Sequence, residues 1–146
     1  MFKKILLAND GSEASLHAAR LAIQLSRIHG AALSAVFVVD PYPFIGIGQA
    51  NPAGFDAYMA AARQSAIQAH LRVLDLARSM NHAGDINELT VEDASATEGI
   101  VKTAQDLGAD LIVMGSHGRS GVVRLLMGSV AQKVSTQSPV PVLLCK

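Results

Sequence analysis

"LIVMGSHGRSGVVRLLMGS", from Leu111 to Ser129, decides how this chain is to be read. It opens with a continuous apolar run, as in a strand covered on both faces. Glycines 115, 118, 121 and 128 and the arginines 119 and 124 follow. A simple turn needs no such concentration of glycine. A buried strand that opens into a glycine loop and then a helix gathers free backbone N–H groups, which favour an anion. The stretch is not a Walker loop, because no Lys-Ser or Lys-Thr pair follows its glycines. Nor does it match G-x-G-x-x-G, because none of its glycines are separated by a single residue. What remains is Gly115-x2-Gly118-x9-Gly128-Ser129. On this reading backbone N–H groups and the Ser129 hydroxyl hold phosphates, and Arg119 or Arg124 supplies charge. The competing reading is structural: Ser129 and Gln132 also make an S-x-x-Q capping box.

Outward from that stretch, strand and helix alternate. "KILLAN" (Lys4 to Asn9) reads as a buried strand. A stripe at Ala18, Leu21, Ala22, Leu25 and Ile28 reads as a helix, closed by Gly30. "ALSAVFVV" (Ala32 to Val39) is a second strand. Asp40 to Gly54 holds three prolines and three glycines and reads as a loop or lid. Met59, Ala62, Ala66, Ala69, Val73, Leu76 and Met80 mark one long amphipathic helix whose turn ends at Gly84. "INELTV" (Ile86 to Val91) alternates, as in a strand with one wetter face at a sheet edge. Ser95 and Glu98 form a capping box for a helix that stops at Gly108. A short helix from about Ser129 to Ser135 and a last strand, "VPVLLC" (Val140 to Cys145), complete the order. Five strands alternating with four helices indicate an α/β fold: a parallel sheet with helices on both faces. Ligands of such sheets bind beyond the carboxyl ends of the strands. Asp10, Gly11 and Ser12 lie at that end of strand one, and Gly115 to Gly118 at that end of strand four. If the two strands are neighbours, both loops open into one crevice.

Composition narrows the function. The chain has 146 residues, half of them hydrophobic and 16% charged, which fits one domain over 1–146. Twelve basic residues balance twelve acidic ones, with no basic tract to follow a nucleic-acid backbone. No apolar run approaches a membrane span, and Ile5 to Ala8 is too short for a signal peptide. The one cysteine, Cys145, can form no intrachain disulfide and reads as a small apolar side chain. A cytoplasmic location is expected. Structural readings stand beside the functional ones at two further places: Asp10 with Glu13 is a possible cap for the first helix, and His117 is a solvated loop residue with nothing to orient it.

"KKILLANDGSEAS", "ADLIVMGSHGRSG", "LLMGSVAQKV" and "PVPVLLCK" together resemble the universal stress protein family across essentially the whole chain. The spacing G-x2-G-x9-G-[ST] resembles the motif of its ATP-binding branch. The resemblance implies an open, Rossmann-like sheet of order 3-2-1-4-5 and a homodimer paired through the C-terminal strand. It implies that Ala8 and Val38 line an adenine slot and that Asp10 contacts the ribose or adenine end. Met114 and Gly115 would back the ribose; Gly118, Gly128, Ser129 and Val130 would hold the phosphates, with magnesium between phosphate oxygens. Ala8 stands where the family often has proline, and Asn9 is a further mild departure.

The expectation that follows is an ATP-binding stress-response protein acting as a switch or sensor. Asp10 is the only carboxylate evident near the loop and the resemblance assigns it to the nucleoside, so hydrolysis should be slow or depend on a partner. The alternative is a nucleotide-independent protein-interaction module, against which the intact glycine motif speaks. An adenylylating α/β enzyme would carry S-G-G-x-D-S or H-I-G-H, and this chain has neither. Phe44, Ile45 and Ile47 are apolar within the Asp40–Gly54 stretch and would close over the nucleotide, dock a partner or fold onto the core.

Overall fold

The computed structural model describes residues 1–41, 52–118 and 126–146. Strands β1 (Lys4–Ala8), β2 (Ala32–Val38), β3 (Ile86–Val91), β4 (Leu111–Gly115) and β5 (Val142–Cys145) alternate with α1 (Glu13–His29), α2 (Pro52–Ser79), α3 (Ala96–Leu107) and α4 (Ser129–Gln137). The strands form one parallel sheet in the order β3-β2-β1-β4-β5. Ile5, Leu6 and Leu7 of β1 pair with Leu111, Ile112 and Val113 of β4. The loops after β1 and β4 therefore open side by side.

Side chains leave each strand on alternate faces, so one apolar run feeds two cores. Ile5, Leu7, Leu33, Ala35, Leu111 and Val113 pack under α1 and α2 with Ala18, Ala22, Ile23 and Val73. Leu6, Ala8, Val36, Val38, Ile112 and Met114 pack under α3 and α4 with Ile100, Ala104, Ala131 and Val134. Edge strand β3 is exposed at Asn87, Glu88 and Thr90, as suits an edge, but its half-buried residues do not alternate as read: Ile86 packs on the α1/α2 side, and Leu89 and Val91 on the α3/α4 side.

Several boundaries differ from the sequence reading. On α1 the core row is Ala18, Ala19, Ala22 and Ile23, while Ile28 is 75% exposed. Ten residues beyond Ala18, at about 100° each, Ile28 has rotated off that row. α2 begins at Pro52, so Gly54 lies inside a helix rather than in a loop. Proline suits a first helical position, where its missing N–H has no intrahelical partner to lose. The same helix is closed by Asn81 at φ 54, with His82 N–H donating to the Ala77 carbonyl at 2.9 Å, and not by Gly84. β5 starts at Val142, two residues later than read.

Candidate functional site

The crevice between the β1 and β4 loops is a cavity of about 310 Å³. Ala8, Asp10, Val38, Met114, Gly115, Gly118, Gly128, Ser129 and Val130, all nine candidate residues, line it. Ala8, Val38 and Met114 come from the ends of three adjacent strands and make an apolar slot continuous with the α3/α4 core. Helix α3 closes on that slot because residue 99 is glycine: a Cβ there would lie 2.7 Å from Val38 Cγ2. The sequence reading missed Gly99; an isolated glycine inside a helical pattern is the signal that marks it.

The β1–α1 turn is held from both sides. Asp10 Oδ1 accepts from Ser12 N–H at 2.9 Å and Asn9 Oδ1 from Gly11 N–H at 3.2 Å, while the Ser15 hydroxyl donates to the Ser12 carbonyl at 2.8 Å. Gly11 sits at φ +80, which suits glycine. Arg72 of α2 donates through Nη1 to the Gly11 carbonyl at 2.8 Å and through Nη2 to Glu13 at 2.7 Å. Ser12, not Asp10, caps α1, its hydroxyl accepting from Ser15 N–H at 3.1 Å. Asp10 is thus left facing the cavity, where its Oδ2 would lie 3.3 Å from a Cβ on Gly118.

The β4 loop returns on itself. Ser116 N–H donates to the Cys145 carbonyl, and the Ser116 carbonyl accepts from Gly128 N–H, both at 2.7 Å. That second bond spends the Gly128 N–H, so Gly128 offers a phosphate close approach and no donor. Among the described residues, the N–H groups of the first turn of α4, at Ser129, Val130 and Ala131, are the donors that lack intrahelical partners. Gly128 is the N-cap, with no side-chain cap bond, so the S-x-x-Q box of Ser129 and Gln132 does not form. No acidic residue occupies that first turn, and the positive end of the helix dipole stays uncompensated there. Gly115 serves packing: its Cβ would lie 2.8 Å from Ala14 Cβ on α1. Gly115, Gly118 and Gly128 all lie outside the positive-φ set; close approach explains them.

Three more residues change the picture. Asp40 lines the cavity, so Asp10 is not its sole carboxylate. His117 is half-buried, with Nδ1 2.9 Å from Ser116 Oγ, so it has an orienting partner. Asn9 is 4% exposed, and among the described residues its Nδ2 and His117 Nε2 have no partner. A buried donor left unpaired costs about 1–3 kcal/mol. Among the described residues, no three His, Cys, Asp or Glu side chains gather as a metal site. Arg119, Arg124, Phe44, Ile45 and Ile47 lie outside the described residues.

An apolar slot, a carboxylate beside it and a free helix N-terminus across from it suit a ligand with a flat apolar end, a hydroxylated middle and an anionic tail. The family model of the universal stress protein family matches residues 1–146. The chain belongs to the universal stress protein family. A universal stress protein of Methanocaldococcus jannaschii, MJ0531, is 34% identical over 146 residues, covering 100% of this chain and 83% of that protein. Among solved structures, the universal stress protein UspA of Lactobacillus plantarum superposes with a TM-score of 0.76 at 24% identity, over 99% of this chain and 97% of that one. A universal stress protein solved in complex with cAMP superposes with a TM-score of 0.67 at 26% identity, over 99% and 97%. The five-stranded order seen here is the fold of these universal stress proteins.

Proposed function

We propose that this universal stress protein belongs to the ATP-binding branch and acts as a nucleotide-dependent switch or sensor in the cytoplasm. One observation carries the reading: the strand-end apolar slot, Asp10 and the uncapped α4 N-terminus line a single cavity. The cAMP complex of a relative supports an adenine nucleotide. Adenine would lie against Ala8 and Val38, the ribose beside Asp10, Met114 and Gly115, and the phosphates at Gly118, Gly128, Ser129 and Val130. Magnesium would take phosphate oxygens and water as its main ligands, its charge offsetting that of the phosphates.

Hydrolysis is at most slow. A fast enzyme needs a base that orients water beside the γ-phosphate. His117 is paired with the Ser116 hydroxyl rather than with a carboxylate. The protein is further proposed to pair as a homodimer through β5, a four-residue edge strand with Leu143 exposed. Pairing would cover that edge.

The test is mass spectrometry of nucleotide released from freshly purified protein, followed by titration with magnesium and ATP. ATP is expected from the wild type and not from a Gly118→Ala, Gly128→Ala double variant. A wild type that stays empty through the titration would overturn the reading in favour of a nucleotide-independent interaction module.

A further inference from the structure

Gly99 lies in the first turns of α3, and its backbone does not require glycine. Its φ is outside the positive range, and its N–H donates to the Ser95 carbonyl at 2.9 Å. Alanine is the better helix former at such a position. What excludes a side chain there lies opposite. A Cβ on residue 99 would meet Val38 Cγ2 at 2.7 Å, Cγ1 at 2.9 Å and Cβ at 3.4 Å. Rotating Val38 does not clear the clash. Two of its three staggered positions face Gly99, and two methyls fill any two of the three, so one methyl stays in the way in every rotamer. Nor is the strand free to retreat. β2 is paired on both sides, Val36 with Ala8 and Val38 with Val91. A side chain at 99 would therefore lift α3 from the strand ends, by about 1 Å if a carbon contact of about 3.5–4.0 Å is to be restored.

The same stretch of α3 is a wall of the nucleotide cavity. Ala96 and Ile100, four residues apart on one side of the helix, line it together with Ala8, Val38 and Met114. Gly99 is buried and is not itself part of the lining. The geometry points to Gly99 as a positioning residue for the base: it touches no ligand, but it lets α3 hold Ala96 and Ile100 close enough to Val38 for the apolar end of the cavity to grip a flat ring. This rests on the nucleotide reading above. Lifting α3 would draw two apolar side chains back from the ring. A gap of about 0.5–1 Å already forfeits a quarter to a half of the dispersion attraction between such groups. The phosphate end is built from other parts, the β4 loop and the first turn of α4, which the bond from Gly128 N–H to the Ser116 carbonyl ties together at 2.7 Å. A side chain at 99 thus loosens the hold on the base and spares the hold on the phosphates.

The test is a double-mutant cycle in the intact protein. Wild type, Gly99→Ala, Val38→Ala and the two combined are each titrated calorimetrically with magnesium and ATP. Val38→Ala removes both Cγ atoms and leaves the new Cβ on residue 99 facing only Val38 Cβ, at 3.4 Å. Gly99→Ala is expected to weaken ATP binding about tenfold by itself and less than about twofold when Val38 is already alanine. Ribose 5-triphosphate keeps the sugar and the phosphates and lacks the base. Its affinity should change less than about twofold on Gly99→Ala, and where it binds too weakly to measure the cycle with ATP decides. Unchanged ATP affinity in Gly99→Ala, the same loss with and without Val38, or parallel losses for ATP and ribose 5-triphosphate would overturn the proposal and leave ATP binding standing. A wild type that binds no ATP would overturn the nucleotide reading itself. If Gly99→Ala fails to fold alone, Val38→Ala and the double variant are compared: ATP affinities within about twofold support the proposal, and a gap of about tenfold overturns it.

Discussion

At the scale of single residues, the glycines of the loop divide by what their missing Cβ would strike. At Gly115 a Cβ would meet Ala14 Cβ at 2.8 Å and the Ala14 backbone carbon at 2.9 Å. Backbone on a helix cannot swing aside, so β4 and α1 would have to part. Gly115→Ala should cost about 1–3 kcal/mol, read as a lower urea midpoint. At Gly118 the nearest atom is Asp10 Oδ2 at 3.3 Å, a contact a side chain can relax. Gly118→Ala should leave the urea midpoint nearly unchanged and weaken ATP binding, because the displaced group is the carboxylate. Equal effects of the two substitutions on stability would refute this division. The spacing of these glycines is legible in the sequence, but their separate duties are not. Ala14 and Gly115 lie about a hundred residues apart, and nothing local announces that they touch.

At the scale of elements, local chemistry is read well wherever its partners are neighbours in sequence. The box of Ser95 and Glu98 forms as expected, with Ser95 Oγ accepting from Glu98 N–H at 3.3 Å and the Glu98 carboxylate accepting from Ser95 N–H at 3.2 Å. Ser95→Ala should cost about 1 kcal/mol, measured as a shift in the thermal or urea midpoint. For α1 the sequence points to Asp10 with Glu13 as the possible cap, and the folded turn uses Ser12 instead. α2 carries a feature its apolar stripe hides: His70 is 4% exposed, with Nε2 donating to the Leu89 carbonyl of β3 at 3.1 Å. Burial pushes its pKa down, against the charge of Glu88 and the Leu89 hydrogen bond. With the folded value below the ordinary one, the unfolded chain binds the extra proton as pH falls. His70's contribution is therefore intact above about pH 6.5 and is lost as pH drops from there toward the folded value. The urea midpoint should fall between pH 7.5 and 5, and His70→Gln should flatten that part of the fall. A His70→Gln profile parallel to the wild type would refute it.

At the scale of the whole molecule, ligand and partner should both register in stability and mass. ATP at about a hundred times its dissociation constant would add about 2.7 kcal/mol to the folded state. For a chain of this length that raises the melting temperature by roughly 5–10 °C, which a thermal scan with magnesium and ATP reads directly. No shift at saturating ATP would contradict nucleotide binding. Pairing through β5 should give twice the chain mass in light scattering, and Leu143→Lys, a charge on an exposed strand residue, should return the monomer. No helix of the described residues is long and apolar enough to cross a membrane.

The sequence by itself determined the alternation of strand and helix, the closing glycines Gly30 and Gly108, the α3 capping box and the wet edge of β3. Each depends on residues within a few positions of one another, so periodicity and cap chemistry expose it. Tertiary structure alone decided which polar groups were left to meet a ligand. Pairing β1 with β4 brought Asp10 to Gly118, and folding the loop back spent the Gly128 N–H on Ser116. The end of β2 brought Asp40 to the same cavity. A hydrogen bond once made is no longer available, and only the folded chain records which donors and acceptors have been used.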